Sequence, residues 1–262
     1  MENQTIWQVQ RCEGAEYLCS ILEFLLPEYV RIFGQEVMTA APCIVYNDPN
    51  SKCQRFIHSN PLTIRLHQKS LSFWAQTIFQ LSHELCHYAM YQTKQDKTQT
   101  LSWFEEIVCE AMSLYALHYA AENWNKCKLA KYAPDFGKHI REYLENELLC
   151  DASDGFEQCN TVEKLQYYEN GQFPENDRVT HVKERNKIYE AILQDPSEAS
   201  CFLHYQWYIK PENGVVFDFN AWHKDDPKNM VLQLLSIFPI KGEEKDNART
   251  NIIHNLQSLE PV

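Results

Sequence analysis

Residues 71–91 read LSFWAQTIFQLSHELCHYAMY, and the reading of this stretch decides what surrounds it. Trp74, Ile78, Leu81, Leu85 and Ala89 recur at three- and four-residue spacing in a stripe about 80° wide, the pattern of a helix with one core face. His83 and His87 fall on the opposite side, with Glu84 beside them. Side chains at i and i+4 lie about 40° apart and one turn removed, so both imidazoles can reach a single ion. The segment is HExxH on a helix, a spacing that suits zinc hydrolysis: two imidazole ligands with a carboxylate next to them.

A second helical pattern occupies residues 101–122, LSWFEEIVCEAMSLYALHYAAE. Phe104, Val108, Ala111, Tyr115 and Tyr119 form its apolar stripe, while Glu106 and Glu110 share the other face. Two carboxylates one turn apart beside apolar residues are costly unless something positive offsets them. A catalytic zinc site takes three protein ligands and keeps one position open. Glu106, 19 positions after His87, is the candidate for the third.

His83, Glu84, His87 and then Glu106 resemble the pattern of the gluzincin clan of zinc metallopeptidases, HExxH followed by 18 residues and Glu. Residues 103–106, WFEE, resemble the WLNE run in which aminopeptidases of that clan carry their third ligand. Residues 79–88, FQLSHELCHY, are similar to the active helix of small bacterial metallopeptidases that cleave phage-type repressors. The resemblance covers residues 60 to 120 or so. It implies one catalytic Zn2+ held by His83, His87 and Glu106, with Glu84 as the base toward a metal-activated water. It also implies Glu110 as hydrogen-bond support for a ligand histidine, and a polypeptide substrate. Cys86 stands where the repressor-cleaving relatives usually have glycine. No glycine lies between Gly34 and Gly137, so the Gly-containing exopeptidase motif is absent and an endopeptidase of narrow specificity is the expectation.

Alternatives stay open at this level. The same ligands would serve a non-catalytic zinc-containing binding module, or a zinc hydrolase of a non-peptide amide, and they also suit manganese, cobalt or iron. Cys86 and Cys109 each follow a proposed ligand by three positions; a thiolate would close the site, whereas packing as small buried side chains leaves it open. A helper for the oxyanion is expected among Tyr88, Tyr115, His118, Tyr168, His181 and His204.

Outward from this centre, residues 13 to 34 read as a helix that Pro27 should kink or divide. Short β-branched and aromatic runs at Val37–Tyr46, Arg55–His58 and Leu62–His67 read as strands. Leu62, Ile64 and Leu66 alternate with Thr63, Arg65 and His67, and this strand is expected at the sheet edge where an extended peptide could add. Further helices are expected at Lys138–Leu149, Val162–Tyr168, Asp177–Leu193, Glu198–Tyr208 and Met230–Ile237, with loops at Asp151–Asn160 and Asn170–Asp177. The fold class is therefore α+β and predominantly helical: a small N-terminal sheet packed on an active-site helix and a glutamate-bearing helix, then a helical C-terminal extension. Residues 1–135 are expected to form the catalytic core and 136–262 the extension. Phe202, Tyr205, Trp207, Tyr208, Phe217, Phe219 and Trp222 are expected in a core.

Composition removes other classes. The seven glycines among 262 residues are too scattered for a GxGxxG or P-loop. A formal charge of −12 argues against a nucleic-acid partner. No apolar stretch approaches the ~20 residues of a membrane span, and residues 1–10 carry no secretory signal pattern. Ten cysteines without any CxxC favour a reduced, cytoplasmic setting.

Overall fold

The computed structural model describes residues 6–94, 100–148, 182–210 and 216–237. The protein is α+β and mostly helical, with one small mixed sheet near the N-terminus and helices after it. The chain divides into two compact units, 1–93 with 108–150 and 94–107 with 151–262.

The first unit begins with β1 (Trp7–Val9), α1 (Ala15–Phe33) and a short helical turn, α2 (Gln35–Met38). Strands β2 (Cys43–Asn47), β3 (Arg55–Ile57) and β4 (Leu62–Leu66) follow, then α3 (Trp74–Gln92) and α4 (Ser102–Asn123), a continuous helix. After 3-10 turns, α5 (Gly137–Leu148) closes the described part of this unit. Gly137 is required there, because a Cβ would lie 2.7 Å from the Ala121 carbonyl oxygen.

The strand order is β1-β2-β4-β3, with β1, β2 and β4 parallel and β3 antiparallel to β4. β4 is therefore an interior strand, which corrects the expectation that Leu62–His67 forms the edge. Alternation along a strand reports its two faces but not its neighbours; β3, paired through a hairpin, takes the edge. β1 is an addition, and Val37–Met38 belong to α2 rather than to a strand. One face of the sheet is apolar: Cys43, Val45, Leu62, Ile64 and Leu66 are all buried. Trp7 and Phe56 share that face by register and meet Tyr88 of α3 at ring separations of 4.6 and 6.1 Å.

α1 runs through Pro27 as one helix rather than two. Pro27 lacks the N–H that would have reached the Glu23 carbonyl. Both residues lie on the exposed side, where water meets the unsatisfied group. The opposite face packs inward through Leu18, Ile21, Leu25 and Tyr29, none more than 1 % exposed.

In the second unit Phe104 packs against Tyr205 and Phe217, each at 4.9 Å, and Phe202 at 5.9 Å. The described helices are α6 (Val182–Gln194), α7 (Phe219–Asp225) and α8 (Asn229–Ile237), with a run of 3-10 turns over Pro196–Tyr208 and a β5–β6 ribbon (Ile209–Lys210 and Val216–Phe217). The expected aromatic core is present except that Trp207 is exposed. The expected helix at Val162–Tyr168, both expected loops and the first residues of the one at Asp177–Leu193 lie outside the described residues.

Candidate metal centre

Helix α3 carries HExxH at the middle of its length, and its apolar stripe is buried as periodicity requires: Ile78, Leu81, Leu85 and Ala89 are fully covered. The opposite face is covered too. From Thr77 to Met90 every residue is buried except His87, which is half-buried. His83 and Glu84 are each only 2 % exposed. A polar face therefore lies in the interior, a costly arrangement unless partners or a bound ion compensate.

The helix is pinned on both sides of the motif. Gln80 uses its side-chain amide twice, accepting from the His67 N–H and donating to the His67 carbonyl, both at 3.0 Å. The Tyr29 hydroxyl of α1 donates to the Ser82 carbonyl at 2.8 Å, immediately before His83. Immediately after His87, the Tyr88 hydroxyl donates to the Ala41 carbonyl at 2.7 Å and accepts from the Ala41 N–H at 3.1 Å. Strand end, first helix and the segment ahead of β2 thus hold α3 around the motif in three places, through the Gln80 and Tyr88 side chains and the Ser82 carbonyl. The sequence does not reveal these anchors, because each joins residues 13 to 53 positions apart.

His83, His87 and Glu106 each offer one ligand atom, and these atoms all lie within 4.8 Å of one another. The two imidazole Nε2 atoms are 3.2 Å apart. Two nitrogens bound at ~2.05 Å to one tetrahedral ion stand about 3.3 Å apart, so the histidine spacing suits a zinc-sized cation. The spacing equally suits a hydrogen bond between the rings, which needs a proton on one Nε2; an ion takes the place of that proton. Two nitrogens and one carboxylate oxygen form a donor set that zinc accepts with a position to spare. Among the described residues the group contains no thiol. Cys86 and Cys109 are fully buried instead. The group runs from a buried His83 through a half-buried His87 to an exposed Glu106.

Glu105 and Glu106 are separated by their partners. The half-buried Glu105 accepts the Tyr205 hydroxyl at 2.5 Å. Glu106, one residue on, is the carboxylate in the three-donor group. Glu110 is buried at 6 % exposure, one turn along α4.

Two of the residues considered as oxyanion helpers have structural duties. Tyr88 is held by Ala41, and burial pushes its hydroxyl pKa up. Tyr115 donates to Glu28 and accepts from Arg31 at 3.3 Å; burial first, and then the Glu28 hydrogen bond and charge, push its pKa well up. His204 stacks on Trp207 at 4.2 Å. His118 is half-buried on α4, and Tyr168 and His181 lie outside the described residues.

Compared with models of known families, with curated proteins and with solved structures, the chain finds no match.

Proposed function

We propose that the protein is a metal-dependent hydrolase of peptide bonds, a zinc endopeptidase of the gluzincin type. The observation that carries this reading is the gathering of His83, His87 and Glu106 within 4.8 Å, with no fourth protein ligand in the group among the described residues. A purely structural zinc is normally closed by four protein ligands. When bound, the ion supplies Lewis acidity, lowering the pKa of water and polarising the scissile carbonyl.

The rest falls to this chain's side chains. His83 and His87 present neutral imidazoles, and Glu106 adds one negative charge that tempers the cation. Glu84 takes the proton of the attacking water and returns it to the leaving amine, so the carboxylate ends each cycle as it began. Substrate reaches the site from its exposed Glu106 end, since His83 is closed off by the interior.

A non-catalytic zinc module would need no base beside its ligands; Glu84 favours turnover. The cytoplasmic setting belongs to the same proposal. All eight cysteines among the described residues are free, as in a reducing compartment. Among the described residues no helix is long and apolar enough to cross a membrane.

The decisive variant is Glu84→Gln, assayed on a broad peptide library alongside metal analysis. It should keep its zinc and lose at least about 100-fold in turnover, the scale of general-base catalysis. Zinc retained with undiminished cleavage would remove Glu84 from this role, and a wild-type protein that binds zinc but cleaves no peptide would favour the binding module.

A further inference from the structure

The sheet has a second face, opposite the apolar one that α3 packs against. By register it carries two rows across β2, β4 and β3, Ile44, Thr63 and Ile57 in one and Tyr46, Arg65 and Arg55 in the other. None of these residues is buried: Arg55 is exposed and the others are half-buried. The four strands contain two arginines and no Asp or Glu, in a chain whose formal charge is −12. The two arginines are direct cross-strand partners. Like charges opposite one another on a sheet repel and cost stability. Among the described residues no carboxylate lies within ion-pair distance of either guanidinium, and Arg65 Nε is buried with no hydrogen-bond partner. The Nδ1 of His67, next in the same alternation, is also buried and unpartnered. The nearest acid in the strand connections, Asp48, uses Oδ1 to accept the Asn50 N–H.

The geometry points to this face as a docking surface for an acidic segment of another polypeptide. Two adjacent guanidiniums in repulsion are relieved by a carboxylate bridging them, and Arg forks bind carboxylates with two hydrogen bonds. The half-buried Tyr46, Ile44 and Ile57 supply apolar contact alongside, so the fit is to a peptide chain rather than to a small anion. The long-range field of a strongly acidic protein repels polyanions such as nucleic acid. Only a short acidic segment engages a local cationic pair without meeting that field along its length. This surface is built from the sheet alone and does not depend on the metal.

The test uses the full chain stripped of metal with a chelator, and a fluorescein-labelled peptide alternating Glu and Ser, followed by anisotropy. Saturable binding is expected, weakened by added salt, and absent for the Gln/Ser control peptide. Arg65→Gln should weaken binding by about tenfold or more. Arg55→Glu should abolish binding while raising the thermal midpoint, because it replaces a repulsive cross-strand pair with an attractive one; this variant cannot fail through misfolding and still meet the expectation. Absence of binding, equal binding by the control peptide, or binding unchanged in both variants would overturn the proposal. So would tighter displacement by inorganic phosphate or an oligonucleotide than by unlabelled peptide, or a concentration-dependent dimer lost in Arg55→Glu, which would assign the face to a second copy. Retention of peptide binding without zinc keeps this result separate from the fate of the hydrolase reading.

Discussion

Glu28 is a buried acid, 7 % exposed, that takes two hydrogen bonds from Arg31 at 2.9 and 2.6 Å and one from the Tyr115 hydroxyl. Burial pushes its pKa up, but the hydrogen bonds from Arg31 and Tyr115 and the Arg31 charge outweigh it, and the net shift is downward. A carboxyl depressed on folding contributes stability that is present above the unfolded value of about 4.3 and is lost as pH falls through the lower folded value. Tyr115→Phe removes one of those hydrogen bonds. It should cost about 1–2 kcal/mol at pH 7 and move acid unfolding to higher pH, read from urea denaturation across pH 3 to 7. An acid limb identical to wild type would show that Tyr115 does not hold Glu28 ionised. The sequence does not reveal this pairing, since its partners lie 87 positions apart. It does reveal that His83 and His87 face one point, because an i, i+4 pair on one helix is local. Glu106 was legible through its spacing and the WFEE run. Tyr88 and Tyr115 look like free hydroxyls in sequence only because Ala41 and Glu28 are remote.

At the level of elements, the long helices were legible because periodicity is local. α1, α3, α4 and α5 start and end within a few residues of their expected limits. β1 was not, since three residues offer no period to read. The order of strands was not either: β4 is interior because β2 and β3 flank it, and neither neighbour is written into its alternation. Another non-local device is Gln80, whose amide stands in for a strand partner at His67, just beyond β4. Gln80→Leu would leave the His67 N–H and carbonyl without that partner, at a cost of about 2–3 kcal/mol. The expected readout is a lower urea midpoint with an unchanged slope. A midpoint within error of wild type would mean that the clamp does not support the α3–β4 junction.

Across the whole molecule, the proposed metal site ties ion binding to folding. A polar face of α3 is buried with His83 and Glu84 at its centre, and an ion bound only by the folded chain adds to its stability. At a free concentration 100 times its dissociation constant, zinc should add about 2.7 kcal/mol, seen as a rise in thermal midpoint that chelator reverses. A midpoint indifferent to both zinc and chelator would leave the buried face to be balanced by protein partners alone.

The most direct measurement is a calorimetric titration of zinc into the chelator-stripped full chain, repeated with Glu106→Ala and with the His83→Ala, His87→Ala pair. One equivalent should bind the wild type, at least about tenfold more weakly in Glu106→Ala and not measurably in the double variant. A wild type that binds no zinc, or a double variant that binds it as the wild type does, would contradict the account at its base.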